Sequence, residues 1–222
     1  MRRNHQTSGM TLIETAIVLT VVGGLLALSF SSLQNWQRNE RAAATVRSLA
    51  NLLRFASTEA VRTGRVHIAF LSIGGAGDVA GNGLVDENDD WVPALILDDG
   101  VPNSANQNCT IDAGEATYVL KPVDGLGWGS SFAGGAKAPG DQTAIASASG
   151  SSFARPTGAA STWVAFMPNG RPLGFDAACD MGDLGSGNGG VYVTTDSRDY
   201  AVVLNPLGGV RVHTWNEEMG RW

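Results

Sequence analysis

The chain has 222 residues, 43% of them hydrophobic and 16% charged, with a formal net charge of −6. That content supports one domain of moderate size plus an appendage. The acidic balance argues against a broad nucleic-acid-binding face, though not against a small basic patch. The opening nine residues, "MRRNHQTSG", are short, basic and polar. From Met10 to Leu33 follows an apolar run whose only ionisable side chain is Glu14. As a helix it would reach about 36 Å, enough for a hydrocarbon core of roughly 30 Å. Positive charge ahead of the run predicts that the N-terminus stays cytoplasmic and the body crosses a membrane once. A secretory signal peptide would be cut after the apolar run, where "ALSFSS" is a poor cleavage site; here the small residue, Gly9, precedes the run.

"SGMTLIET", Ser8 to Thr15, resembles the signature of type IV pilins, a Gly followed by a hydrophobic residue and then Thr-Leu-Ile-Glu. The resemblance implies cutting between Gly9 and Met10 by prepilin peptidase, N-methylation of Met10, and Glu14 as the fifth mature residue. It also implies a bacterial inner-membrane protein with a periplasmic globular domain that later enters a filament. A carboxylate at membrane depth costs about 2.5–3.5 kcal/mol on insertion scales unless it finds a partner. The cut creates that partner, the ammonium of Met10, so Glu14 of an incoming subunit would pair with the Met10 of a neighbour. The family often has Phe at the position of Met10, and often a Pro further along; no Pro lies between Met10 and Leu33.

Beyond Leu33 the helical pattern continues without Pro or Gly as far as Gly64. Val46, Leu49, Leu53, Ala56 and Ala60 recur at three- and four-residue steps and form one apolar face. Arg38, Glu40, Arg41, Arg47, Arg54 and Arg62 fall largely off it, as a solvated face does. From Arg65 the texture changes to short β-branched and aromatic runs, "RVHIAFLSI", "WVPALILDD", "ATYVLKPV" and "TWVAFMPNG". "GVYVTTDSRDYAVVLNPLGGVRVHTW" predicts three strands with turns at "TDSRD" and "NPLGG". A long helix followed only by strands predicts an α+β fold, the helix packed on an antiparallel sheet. The expected segments are a leader at 1–9, a transmembrane half-helix at 10–33, an amphipathic half-helix at 34–64 and a β-rich domain at 65–222. The Gly/Ala/Ser-rich segments Gly134–Gly158 and Asp180–Gly190 read as surface loops.

This layout, with "VRSLANLLRFASTEAVRTGRVHIAF", a later "FMPNGRP" and a closing "GGVRV", is similar to the GspH/FimT type of minor pilin and pseudopilin. The resemblance implies a pilin-like fold and a structural role in a type II secretion pseudopilus or a type IV pilus, with other pilins or pseudopilins as partners. The alternative is a DNA-capturing minor pilin of an uptake pilus. Such a protein should carry paired basic residues after the closing Gly. Here Arg211 and His213 are followed by Glu217 and Glu218, and phosphate binding needs several cations together, so nucleic acid is not an expected partner.

Cys109 and Cys179 are the only cysteines, and a periplasmic body would pair them. "DVAGNGLVDENDDW" approximates an EF-hand loop counted from Asp78, with Asn82 fifth, Gly83 sixth, the Leu84 carbonyl seventh, Asp86 ninth and Asp89 twelfth. Position three is Ala80, which offers no oxygen, and a strand run precedes the loop instead of a helix. The stretch reads as a solvated acidic hairpin, with weak calcium binding as the alternative; no other cofactor is expected. "GSGNGG", Gly185 to Gly190, leads into a strand, so it provides no helix N-terminus for a phosphate. Outside the leader the histidines are His67 and His213, each in a strand run without ligand spacing. No catalytic constellation is legible, and the expectation is a protein that is not an enzyme.

Overall fold

The computed structural model describes residues 12–73, 92–110, 115–120, 127–141, 145, 150–195 and 198–222; within these, the side chains of 25–35, 38, 72, 73, 92, 93 and 95 are not described. Two compact units divide the chain, Met1–Glu40 and Arg41–Trp222. One helix, α1, runs from Leu12 to Thr63. It ends where the sequence predicts. Gly64 takes a left-handed φ of 67°, and its amide donates to the Ala60 carbonyl at 3.0 Å.

The helix is long, but it is not apolar along its length. Among the described residues no helix is long and apolar enough to cross a membrane. This overturns the expected single pass through the inner membrane, with its cytoplasmic N-terminus and periplasmic domain.

The second unit holds two antiparallel sheets, where one was expected. The first contains β1 (His67–Ile73), β2 (Val92–Asp98), β3 (Thr117–Leu120), β5 (Trp163–Phe166) and β6 (Pro172–Leu173), in the order β3-β2-β1-β5-β6. The second contains β4 (Gly127–Trp128), β7 (Gly189–Thr194), β8 (Asp199–Leu204) and β9 (Val210–Thr214), in the order β4-β7-β8-β9. The α+β class therefore holds.

One core joins the amphipathic half of α1 to both sheets. Ala42, Val46, Leu49, Ala50, Leu53, Ala56 and Ala60 are buried against Ala69, Leu71, Ala94, Ile96, Val164 and Phe166 of the first sheet. The same cluster takes in Val191, Val193, Tyr200, Val202, Leu204 and Val210 of the second. Alternate residues turn to the opposite faces, as period-two strands require. Ile68, Leu97 and Ala165 pack there with Val66 and Phe175, and Tyr192, Ala201 and Val203 pack with Ala138. Both sheets are thus covered on two sides, which explains strands that read as nearly continuous apolar runs.

The covering comes partly from segments that read as surface loops. Ala138, Asp141, Ser151, Ser152 and Phe153 are buried within 134–158. Small side chains allow this close approach: a Cβ on Gly189 would meet Phe153 at 2.8 Å, and Gly150 lies against the Gly129 and Tyr192 backbones. Two hydrogen bonds tie the sheets to α1. Ser57 donates its hydroxyl to the Gly170 carbonyl at 2.9 Å, and Arg54 donates to the Val210 carbonyl at 3.0 Å.

Candidate functional site

Apolar residues in the first turns of α1 are spread around its whole circumference. Leu12, Ile13, Ile17, Val18, Leu19, Val21 and Val22 follow one another at 100° per residue, and all are exposed, Leu12 by 89% and Leu19 by 66%. Nothing lies within 4 Å of the Cβ positions of Gly23 and Gly24. A helix that is apolar all round is ordinarily buried on all sides. Among the described residues, the large aliphatic side chains of this segment are instead exposed. Within the segment stands the single carboxylate of Glu14, in the first helical turn, where the helix dipole favours negative charge. Gly9 and Met10, the expected cleavage and methylation positions, lie outside the described residues, as does the leader.

The next half of the helix is organised differently. All five residues assigned to its apolar face are buried, while Glu40, Arg41, Arg47, Arg54 and Arg62 are exposed. Several of these arginines already have partners. Arg54 also reaches Asn51, Arg62 pairs with Glu59, and Arg65 pairs with Asp98 at 2.7 Å. The Glu59 carboxyl is held below its ordinary range by the Arg62 hydrogen bond.

Cys109 and Cys179 form a disulfide, as expected, with Cα atoms 5.4 Å apart. Each lies in a turn with left-handed backbone, φ 58° and 64°. The buried Asp99 accepts the Cys109 amide at 2.9 Å and the Asn108 amide at 3.3 Å. Asp176 accepts the amides of Ala178 at 2.9 Å and Asp180 at 3.1 Å, framing Cys179. The expected calcium positions, Asp78, Asn82, Leu84, Asp86 and Asp89, lie outside the described residues.

Besides Asp99, sequence reasoning missed two further buried carboxylates. Asp199 accepts the amides of Ser131, Phe132 and Ala133 at 2.7–3.1 Å. Asp141 accepts the Tyr192 phenol at 2.6 Å and the Ser152 hydroxyl at 2.5 Å. Burial first, and the Asp141 contact second, push the Tyr192 phenol far above its ordinary value. These pairs satisfy internal polar groups and pin the covering segments to the second sheet.

The two histidines lie in different sheets, His67 in β1 and His213 in β9. Burial, then the nearby Arg211, hold His213 below its ordinary value. No protein-family model, no curated protein and no solved structure matches the chain.

Proposed function

We propose that the chain is a filament subunit of the pilin class, a minor pseudopilin or minor pilin of the GspH/FimT type with a pilin-like fold. It is processed by prepilin peptidase between Gly9 and Met10 and assembles through its N-terminal helix into a type II secretion pseudopilus or a type IV pilus. One observation carries the reading: a helical segment with exposed apolar side chains on every side and one acid, Glu14, in its first turn. Helices of other copies would cover those side chains, and the Met10 ammonium of a neighbour would neutralise Glu14. A charge pair in so apolar a setting depends on close approach of its two members, so it would set the register of each incoming subunit. N-terminal sequencing of the chain recovered from cells that make the filament machinery tests the processing step. A mature protein beginning at Met10 is expected; an intact leader, or a start near Ser31, would refute the reading.

A further inference from the structure

Asp99, Cys109 and Cys179 each present one ligand atom, and these three atoms lie within 4.8 Å of one another. As a disulfide the two sulfurs hold no metal. Reduced, they would form a site of two thiolates and one carboxylate. We infer that the Cys109–Cys179 pair is a redox-gated zinc site, closed when oxidised and competent to bind one Zn²⁺ when reduced, with Asp99 as its third ligand. This goes beyond the filament role and does not depend on it.

The geometry after reduction is favourable because neither turn relies on the S–S bond for its shape. The Cys109 turn is fixed by its amide on the Asp99 carboxylate, and Asn108 accepts the Thr110 amide at 2.9 Å. The Cys179 turn is fixed by two amides on Asp176 and by the Cys179 amide on the Asp176 carbonyl at 3.0 Å. Asp99 itself is fully buried at the end of β2, and its amide donates to the Val66 carbonyl at 2.9 Å. Zn–S bonds of about 2.3 Å and Zn–O bonds of about 2.0 Å place tetrahedral ligand atoms roughly 3.5–3.8 Å apart. The sulfurs can separate to that spacing by side-chain rotation alone, given backbones 5.4 Å apart. Both cysteines are only partly buried, so a reductant and a metal ion can reach them.

The chemistry balances with a dithiol as reductant. A thiolate of the dithiol attacks one sulfur, the Cys109–Cys179 bond breaks, and the second thiol of the reductant releases it as its own disulfide. Two electrons and two protons pass to the cysteines. Zn²⁺ then displaces both thiol protons to solvent and is bound by two thiolates and the Asp99 carboxylate, leaving one coordination position open. Zinc suits this mixed sulfur and oxygen set better than calcium or magnesium, which take oxygen alone.

Cobalt(II) titration of the purified full chain, kept in solution by a mild detergent, tests the inference. Protein reduced with a phosphine should bind one equivalent of cobalt with a thiolate-to-metal charge-transfer band and the strong visible bands of a tetrahedral site. Zinc should displace the cobalt, and untreated oxidised protein should show no band. Asp99→Asn keeps a carbonyl acceptor for the Cys109 amide but gives a poor ligand. It should weaken binding by about tenfold or more, the scale on which even supporting residues of metal sites act. Should that variant not fold, Cys109→Ser takes its place and must lose the charge-transfer intensity that two thiolates give. A reduced, folded protein without the band would overturn the proposal, and so would full affinity in folded Asp99→Asn.

Discussion

The two halves of α1 use similar residues to opposite ends. Between Leu12 and Val22 the large aliphatic side chains point in all directions and stay exposed. Between Ala42 and Ala60 they are confined to one face and vanish into a core shared by two sheets. The second half is stabilised by burial in the globular unit; the described aliphatic side chains of the first remain exposed. Apolar surface of that kind signals association, and here it accompanies a lone acid instead of a polar rim.

The largest effect on the body should come from the disulfide. Closing a loop of about 70 residues contributes about 4 kcal/mol in the chain-entropy model. Cys109→Ser with Cys179→Ser should lower the denaturant midpoint of the globular unit accordingly. An unchanged midpoint would show that the bond does not stabilise the body.

Next is the helix itself. Leu53 is 0% exposed at the centre of the shared core, and Leu53→Ala should destabilise by about 2–5 kcal/mol. Ile17→Ala, in the exposed half, should stay within about 0.5 kcal/mol. Urea unfolding of the two variants reports both values, and equal losses would erase the distinction between the halves.

The amphipathic face was legible because Val46, Leu49, Leu53, Ala56 and Ala60 keep helical spacing, and each is buried. Strands β1, β2, β3, β5, β7, β8 and β9 were legible as β-branched and aromatic runs. β4 and β6 were not, since two residues such as Gly127–Trp128 or Pro172–Leu173 carry no period. Nor was the division into two sheets: pairing partners are chosen by tertiary packing, which composition does not encode. The covering segments were misread because Gly, Ala and Ser look like loop residues, and only the fold reveals Phe153 and Asp141 inside. Glu14 and the cysteine pair stood out because each is alone of its kind in its setting. Asp99 did not, because an acid closing the run "WVPALILDD" reads as a strand terminator.

A smaller effect concerns DNA. Arg54, Arg62 and Arg65 are engaged within the chain, and Arg211 is followed by Glu217 and Glu218. Non-specific affinity rises with the number of phosphates neutralised, so duplex DNA should bind more weakly than about 10⁻⁴ M at physiological salt. Fluorescence anisotropy at two salt concentrations checks this. Micromolar binding with a steep salt slope, abolished by Arg211→Ala, would favour DNA capture over a purely structural role.

In the proposed filament, other copies complete the exposed half of α1 and Glu14 directs the fit. Incorporation of Glu14→Ala into filaments, compared with wild type at equal cellular abundance, tests it most directly. The variant should be processed after Gly9, and its body should unfold at the wild-type midpoint. Its incorporation should nevertheless fall by about tenfold or more, the scale of a charge pair lost from an apolar setting. Wild-type incorporation of Glu14→Ala would contradict it.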